Sequence, residues 1–315
     1  MKEHAIGGRE QEQLPLYKRL ETISAISLTP MDPVTHAIDW DSVERNVEWL
    51  LSNGLKVIVP CGNTSEFYSL TLDEAKEEVT RVAKKAAGRA IIMPGIGYTV
   101  ETAIELGKHA QEMGAECVMI HEPIQPFVTD RGALKYFSSI AEALDIPSII
   151  YWKDPHVSDD VLAELCEMDQ IVGVKYAIND LPRFAEIVRR VPKERHVTWI
   201  CGTAEKWAPF FFYAGATGFT SGLVNVMADK SFQLLEALRK QDHETVWNIW
   251  NLLLPFENLR AKYNNGNNVT VIKEAVNLLS DRLGYRAGVV RPPAAPVDEQ
   301  DAAEVKRILK TWNLL

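Results

Sequence analysis

The apolar positions of this 315-residue chain fall into short runs that alternate with longer amphipathic stretches. Such runs, with little or no alternating polar face, are typical of strands buried on both sides in a parallel sheet. Eight runs qualify, and they cover residues 23–27, 56–61, 90–95, 117–121, 148–152, 171–176, 197–201 and 218–221. The pattern therefore predicts eight buried strands.

Segments with a helical period fill the spaces between these runs. The stretch 41–52 follows Asp39, which suits an N-cap, and it stops at Asn53-Gly54. Gly114 and Gly215 stand where helix C-caps are expected. The other helices predicted in this part of the chain cover 72–87, 100–113, 133–144, 158–168, 181–191 and 204–214.

Eight alternations of strand and helix predict an α/β protein with a (β/α)8 TIM barrel. A doubly wound sheet is the alternative fold. It favours a glycine-rich turn after the first strand, where this chain has Leu28-Thr29-Pro30-Met31. The barrel is therefore the preferred interpretation.

The rest of the chain is divided by its patterns into a tail and an extension. Residues 1–15 are polar and predict a flexible tail, so the barrel is assigned to residues 16–229. Residues 230–315 contain no clear strand and predict a C-terminal helical extension packed on the barrel. Its helices are expected at 231–239, 243–260, 271–283 and 302–312, with a loop at 264–268.

Composition and charge exclude several classes of protein. The chain is 46% hydrophobic and 24% charged, which is ordinary for a globular enzyme-sized domain. A net charge of −9 argues against a nucleic-acid or anionic-membrane partner. The chain has neither a run of 18 apolar residues nor an apolar leader, so we expect a cytoplasmic protein. The four cysteines are far apart, which favours neither a zinc site nor a disulfide framework: Cys61, Cys117, Cys166 and Cys201.

Lys175, near the end of the apolar run 171–177, is the most informative residue. Burying an ammonium is costly, and a desolvated lysine has a depressed pKa. Its neutral amine is a nucleophile that can form a Schiff base with a carbonyl substrate. The alternative is an ordinary strand-end lysine with its ammonium in solvent or in an ion pair, and the strand alone favours this alternative.

Catalytic residues of barrels lie at the carboxyl ends of strands, and this rule selects Tyr151 beside Lys175. The two residues end neighbouring strands, so they can lie side by side at the barrel mouth. A tyrosine there can shuttle the protons of imine formation. The alternative is a core aromatic whose hydroxyl is hydrogen-bonded.

The loop Gly62-Asn63-Thr64-Ser65-Glu66 follows the second predicted strand. Its backbone N–H groups and the Thr64 hydroxyl can bind a carboxylate. The alternative is a turn whose polar residues only cap the next helix. Glu66 is expected to cap or pair structurally, without a catalytic role.

Three motifs, in order and at the expected strand ends, resemble those of the dihydrodipicolinate synthase/N-acetylneuraminate lyase family. The family's loop G-[ST]-T-G-E corresponds to Gly62-Asn63-Thr64-Ser65-Glu66. Its strand-five tyrosine corresponds to Tyr151 in Ser148-Ile149-Ile150-Tyr151. Its lysine strand corresponds to Gly173-Val174-Lys175-Tyr176. The resemblance extends from about Ile23 to the C-terminus.

The resemblance implies a class I lyase that forms a covalent Schiff base between Lys175 and a 2-oxo acid. Tyr151 would relay protons, and Thr64 would act with them in catalysis. Dehydration, aldol cleavage and aldol addition all follow from the imine. The substrate-binding positions expected on this basis are Gly62, Asn63, Thr64, Ser65, Gly202 and Ser221.

The same resemblance implies that no cofactor or metal is required. Adjacent strand positions point to opposite faces, so His121-Glu122 is not expected to bind a metal. The expected partners are a small-molecule 2-oxo acid and further copies of the chain in a homodimer or homotetramer.

Departures from the family pattern bear on the substrate. The synthases have a second tyrosine after strand four, and this chain has none there, in His121-Glu122-Pro123-Ile124. The synthases also have an arginine after the strand-five tyrosine, where this chain has Trp152-Lys153-Asp154-Pro155-His156. Lys153 or His156 could replace that arginine. C-terminal patterns such as 254–260 and 284–293 resemble the 5-dehydro-4-deoxyglucarate dehydratase branch. We therefore expect a 2-keto-3-deoxy sugar acid as substrate. The alternatives are dihydrodipicolinate synthase proper, which joins pyruvate to aspartate semialdehyde, and a non-catalytic 2-oxo-acid-binding relative.

Overall fold

The structure, a computed structural model, describes residues 14–315. The predicted tail therefore lies outside the described residues, except for Leu14 and Pro15. The strands are β1 (Ile23–Ile26), β2 (Val57–Val59), β3 (Ile91–Ile92), β4 (Gly95–Ile96), β5 (Val118–Ile120), β6 (Ser148–Trp152), β7 (Ile171–Tyr176), β8 (Thr198–Cys201) and β9 (Gly218–Ser221). Each of the eight predicted strands is present, and the third is divided into β3 and β4.

The strands form one parallel sheet that closes on itself. Their order is β3-β2-β1-β9-β8-β7-β6-β5-β4, so the two edges belong to the two halves of the third strand. β3 pairs with β2 through Val57 and Ile91, whereas β4 pairs with β5 through Gly95 and Met119. The division falls at Pro94, which has no N–H to donate to a ladder. The (β/α)8 barrel is confirmed, and the doubly wound alternative is wrong.

Helices follow the strands around the outside of the barrel. They are α1 (Leu16–Arg19), α2 (Trp40–Ser52), α3 (Leu72–Ala86), α4 (Val100–Glu112), α5 (Asp130–Glu142), α6 (Asp159–Leu165), α7 (Leu181–Arg190), α8 (Ala204–Ala214), α9 (Ala228–Lys240), α10 (His243–Arg260), α11 (Lys262–Asn265), α12 (Thr270–Leu278), α13 (Ser280–Leu283) and α14 (Glu299–Thr311). Three 3₁₀ turns cover Phe67–Ser69, Lys193–Arg195 and Leu223–Asn225.

Capping explains most helix ends. Asp39 caps α2 as predicted, because its side chain accepts a hydrogen bond from the N–H of Ser42. Gly114 and Gly215 have positive φ angles of 84° and 129° just after α4 and α8. Helix α5 begins earlier than predicted because Thr129 caps it through the N–H of Gly132.

The C-terminal segment is helical, with two departures from the predicted bounds. Helix α9 begins at Ala228, so the predicted boundary between residues 229 and 230 falls in its first turn. The predicted helix 271–283 is two helices, α12 and α13. The predicted loop 264–268 overlaps the end of the short α11, in which Tyr263 and Asn264 have left-handed backbone angles that separate α10 from α12.

Alternating side chains divide the core into two layers. One layer packs between the sheet and the helices. The other fills the barrel interior below Tyr151, and it includes Ile26, Val59, Met119 and Ile149. The cavity described next lies above this inner layer. All four cysteines are free and buried. Among the described residues, no helix has the length and apolar character needed to cross a membrane.

Candidate active site

Lys175 lies near the carboxyl end of β7 and is only 3% exposed. Within residues 14–315, its Nζ has neither a carboxylate partner nor a hydrogen bond. Burial, followed by the positive charge of Lys153, lowers the pKa of Lys175 from 10.5 to about 7. A substantial fraction of the amine is therefore neutral and nucleophilic near neutral pH.

Tyr151 occupies the paired position on β6, directly beside Lys175. The Lys175 Nζ lies 3.9 Å from the centre of the Tyr151 ring. Asn63 donates a hydrogen bond of 3.0 Å from its Nδ2 to the Tyr151 hydroxyl. Because that hydroxyl accepts from Asn63, its own proton is free for another acceptor. Burial, and then the charge of Glu122, raises the pKa of Tyr151, so it remains a neutral phenol.

The loop 62–66 makes a tight turn after β2. The N–H groups of Ser65 and Glu66 bond to the carbonyls of Gly62 and Asn63, at 3.1 and 3.0 Å. Among the described residues, no acceptor pairs with the N–H groups of Asn63 and Thr64 or with the Thr64 hydroxyl. This turn therefore offers several donors at the barrel mouth.

These groups border one cavity of about 200 Å³ at the carboxyl ends of the strands. Of the residues expected at the site, Asn63, Thr64, Tyr151, Lys175 and Gly202 line this cavity. Gly202 is confined, because a Cβ there would come within 2.9 Å of Ala177 and 3.1 Å of the Lys175 Cγ. The structure thus brings three distant sequence motifs to one cavity.

Gly62, Ser65 and Ser221 are not among the lining residues. The Ser65 hydroxyl donates to the Ser27 carbonyl at 2.6 Å, and that of Ser221 donates to Glu205 at 2.5 Å. Both hydroxyls are buried behind the wall. Thr220 and Gly222, on either side of Ser221, face the cavity instead. The strand alternation of β9 is the signal for this placement, since Phe219 packs outward in the same layer as the helices.

His121, at the end of β5, is buried beside Tyr151. Its Nε2 lies 3.0 Å from the Cys61 carbonyl, and its Nδ1 lies 3.3 Å from the Tyr68 hydroxyl. Because a carbonyl only accepts, Nε2 carries the proton and Nδ1 accepts from Tyr68. Burial, followed by the charge of Lys175, lowers the pKa of His121 to about 3, so the imidazole is neutral.

Glu122 points away from His121, toward the loop after β6. Its carboxylate accepts the N–H groups of Lys153 and Asp154. Burial raises the pKa of Glu122 to about 7. Of the two residues suggested as substitutes for the missing arginine, Lys153 lines the cavity, whereas the exposed His156 does not.

The C-terminal segment completes the cavity, which the strand-end rule could not predict. Glu257 and Arg260 of α10 line its wall, and so do Asn265, at the end of α11, and Asn268, which follows it. Glu66 performs the expected structural role, because its carboxylate pairs with Lys273 of α12 at 2.5 Å. Other lining residues are polar or charged and lie after β7 and β8: Asn179, Thr203 and Lys206.

Two solved structures resemble this chain closely. The dihydrodipicolinate synthase structure from Oceanobacillus iheyensis is 56% identical, with a TM-score of 0.91, and the match covers 95% of this chain and 98% of that one. The one from Bacillus clausii is 54% identical, with a TM-score of 0.91 and coverage of 95% and 100%.

More distant relatives carry two different names. A "Probable 5-dehydro-4-deoxyglucarate dehydratase" of Rhizobium rhizogenes is 29% identical, over 89% of this chain and 93% of the relative. A "4-hydroxy-tetrahydrodipicolinate synthase" of Methanoculleus marisnigri is also 29% identical, over 87% and 92%. A model of the dihydrodipicolinate synthetase family matches residues 19–312. The chain is therefore a lyase that belongs to the dihydrodipicolinate synthetase family.

Proposed function

We propose that the protein is a Schiff-base-forming lyase that acts on a 2-oxo acid through Lys175. The observation that carries this proposal is a buried lysine without a counter-ion beside a neutral tyrosine at the mouth of a barrel. A structural lysine would pair with a carboxylate or extend into solvent. A lowered pKa and access to a cavity suit an amine nucleophile.

The reaction begins when the neutral Nζ of Lys175 attacks the C2 carbonyl of the substrate. Tyr151 donates a proton to the forming alkoxide and recovers one from the nitrogen, which gives the neutral carbinolamine. It then donates its proton to the carbinolamine hydroxyl, which leaves as water, and it regains a proton from solvent. The hydrogen bond from Asn63 holds the tyrosine oxygen so that its proton points away from Asn63. The resulting protonated imine withdraws electrons, which acidifies C3 or permits C3–C4 cleavage. Neither a metal nor an organic cofactor takes part.

Thr64 and the neighbouring backbone donors bind the substrate carboxylate. Asn63 and Thr64 both line the cavity, and among the described residues neither their N–H groups nor the Thr64 hydroxyl has an internal partner. Binding the carboxylate there places C2 toward Lys175. Thr64 is therefore a catalytic residue in the sense that it orients the reacting carbonyl.

The substrate is a 2-keto-3-deoxy sugar acid. Beyond Lys175 the cavity is lined by groups that hydrogen-bond hydroxyls, namely Asn179, Thr203, Asn265 and Asn268. Neither the second tyrosine nor the arginine of the synthases has an equivalent in the sequence at its expected position. One relative is named as a probable dehydratase of such an acid, 5-dehydro-4-deoxyglucarate.

Dihydrodipicolinate synthase activity is the second candidate, because two solved structures more than 50% identical to this chain are named as that enzyme. The two candidates separate in a substrate panel. We expect turnover of 2-keto-3-deoxy aldonic or aldaric acids, and none of pyruvate with aspartate semialdehyde. Turnover of the second pair alone would overturn this choice of substrate and leave the imine chemistry intact.

The same proposal covers the setting of the enzyme. We expect a cytoplasmic homodimer or homotetramer, with residues 16–229 as the barrel and 230–315 as an extension of it. Residues of the extension that line the cavity would make the two parts one catalytic unit. Sedimentation analysis of the purified protein tests the oligomeric state.

A further inference from the structure

Arg260, at the end of α10, is a cavity residue to which the family motifs assign no role. It is only 5% exposed, yet it lines the same cavity as Lys175 and Thr64. Burying a guanidinium is costly unless its donors are used. The contacts of Arg260 therefore indicate what it does.

Three hydrogen bonds to Glu257 and Asn268 hold the guanidinium, one of them from its Nε to the Asn268 carbonyl at 3.4 Å. Its Nη1 donates to Glu257 at 2.6 Å, and its Nη2 donates to the side-chain oxygen of Asn268 at 2.6 Å. Each terminal nitrogen has two hydrogens, so each retains one N–H for which residues 14–315 supply no acceptor. Arg260 is thus oriented by the protein and retains donor capacity.

The position of Gly222 indicates which space the remaining N–H donors of Arg260 face. A Cβ built on Gly222 would lie 3.0 Å from the Arg260 Nη2 and 3.2 Å from the Thr64 Oγ1. The arginine and the threonine therefore lie close together at Gly222, where residue 222 has no side chain to separate them. The Ile272 Cδ1, 2.5 Å from the same Cβ position, borders this space. One carboxylate, accepting charge-assisted hydrogen bonds of about 2.7–2.9 Å, spans a gap of this size.

We propose that Arg260 binds the carboxylate of the 2-oxo acid together with Thr64. This inference rests on the proposed function, and it assigns a positively charged donor from the C-terminal segment to that site. Glu257 pairs with Arg260 at 2.6 Å and balances its charge. When the imine forms, its positive charge is balanced by the carboxylate that Arg260 holds.

The test combines two ketones with two variants. Pyruvate and pyruvamide are both trapped as imines by cyanoborohydride, but pyruvamide has no carboxylate. The variant Arg260→Met/Glu257→Gln removes both charges of the buried pair, so neither is left unpaired. We expect its trapping efficiency to fall roughly 10- to 100-fold with pyruvate, and to change little with pyruvamide. Arg282→Met, which alters an exposed arginine of the same segment, is the control for a general loss of charge.

Gly222→Ala tests the role of Arg260 if the double variant folds poorly. The backbone of Gly222 has φ −92° and ψ −24°, which alanine adopts readily. The nearest atom to the new methyl is the Ile272 Cδ1 at 2.5 Å, the far end of a flexible side chain that can shift, followed by the two donors. It fills the gap without altering a charge, and we expect the same selective loss with pyruvate.

Three results overturn the inference. An equal loss with pyruvate and pyruvamide would mean that Arg260 only maintains the cavity. Unchanged trapping of both ketones in both variants would mean that it does not contact the substrate. If the unaltered protein traps neither ketone, the proposed function itself fails. That result differs from one in which imines form equally well with and without Arg260.

Discussion

At the scale of single residues, the protonation state of Lys175 controls the chemistry. Its side chain is buried beside Tyr151, and Lys153 stands near enough to disfavour a second positive charge. These two effects lower its pKa rather than stabilising the ammonium. The amine is therefore available without a separate general base to remove its proton.

The first prediction concerns pH. Only the deprotonated amine attacks, so kcat/KM should rise about tenfold per pH unit below the pKa of Lys175 and level off above about 7. Lys153→Met removes a positive charge that lowers this pKa, so the midpoint should move to higher pH. Lys206→Met is the matched control, since Lys206 lines the cavity but is not among the causes of the shift. A midpoint that stays in place in the Lys153 variant would contradict this account.

Tyr151→Phe tests the proton relay. It keeps the ring beside Lys175 and removes only the hydroxyl, so the rate of imine formation should fall roughly 100- to 10,000-fold. Inhibition by a non-reacting carboxylate analogue should persist, because the carboxylate site at Thr64 is intact. Stopped-flow or quenched trapping supplies the rate. Loss of less than tenfold would leave Tyr151 as a packing residue.

Some residues of the cavity could be predicted from the sequence and others could not. Lys175 and Tyr151 lie near the carboxyl ends of strands and Thr64 lies in the loop after β2, and the strand-end rule together with the family motifs selects them. Ser221 was selected by the same rule, but it is one position away from the lining residues because side chains alternate along β9. Arg260 lies on a helix far along the chain, and only the tertiary packing of α10 places it near Thr64.

At the scale of secondary-structure elements, a buried ion pair joins the loop after β2 to α12. The Lys273 Nζ lies 2.5 Å from Glu66 and also donates to the carbonyls of Thr29 and Val289, at 2.8 and 2.6 Å. Glu66 in turn accepts the N–H of Arg291 at 3.0 Å. The turn that contains Asn63 and Thr64 is thereby anchored to the C-terminal segment.

Glu66→Gln should therefore destabilise the fold. It leaves the Lys273 ammonium buried without a counter-ion, which costs about 3–5 kcal/mol. The control Glu304→Gln breaks an exposed pair of similar length with Arg307, at 2.7 Å, and should cost less than about 1 kcal/mol. Urea unfolding of the two variants measures the difference. Equal, small losses of unfolding free energy in the two variants would show that the Glu66–Lys273 pair contributes little to stability.

The elements themselves were largely predictable because each has a local cause. The apolar runs locate the strands, and Asp39, Gly114 and Gly215 fix helix ends as expected. The division of the third strand at Pro94 and the break between α12 and α13 depend on strand pairing and helix packing. The hydrophobic period of the sequence does not reveal either of these.

At the scale of the whole molecule, charge is distributed unevenly. The chain carries a net charge of −9, yet its cavity is lined by Lys153 and Lys206, neither of which has an ion-pair partner within the described range 14–315. An acidic protein with a cationic cavity directs anions to that cavity. The closed barrel sets this arrangement, since it brings loops from separate strands together.

Salt should therefore weaken the binding of anionic substrates. Between about 0.01 M and about 1 M salt, where screening shortens from roughly 30 to 3 Å, the KM for a 2-oxo acid should rise several-fold. The apparent affinity for pyruvamide should hardly change. Initial-rate or trapping measurements over this range check the prediction, and equal salt dependence for both ketones would contradict it.

The most direct test of the central claim is the mass of the protein after borohydride treatment with pyruvate. The account predicts one reduced pyruvyl group on the unaltered protein, located at Lys175 by peptide mapping, and no adduct on Lys175→Ala. An adduct at another lysine, or none with pyruvate and longer 2-oxo acids, would contradict the assignment of Lys175 as the Schiff-base residue.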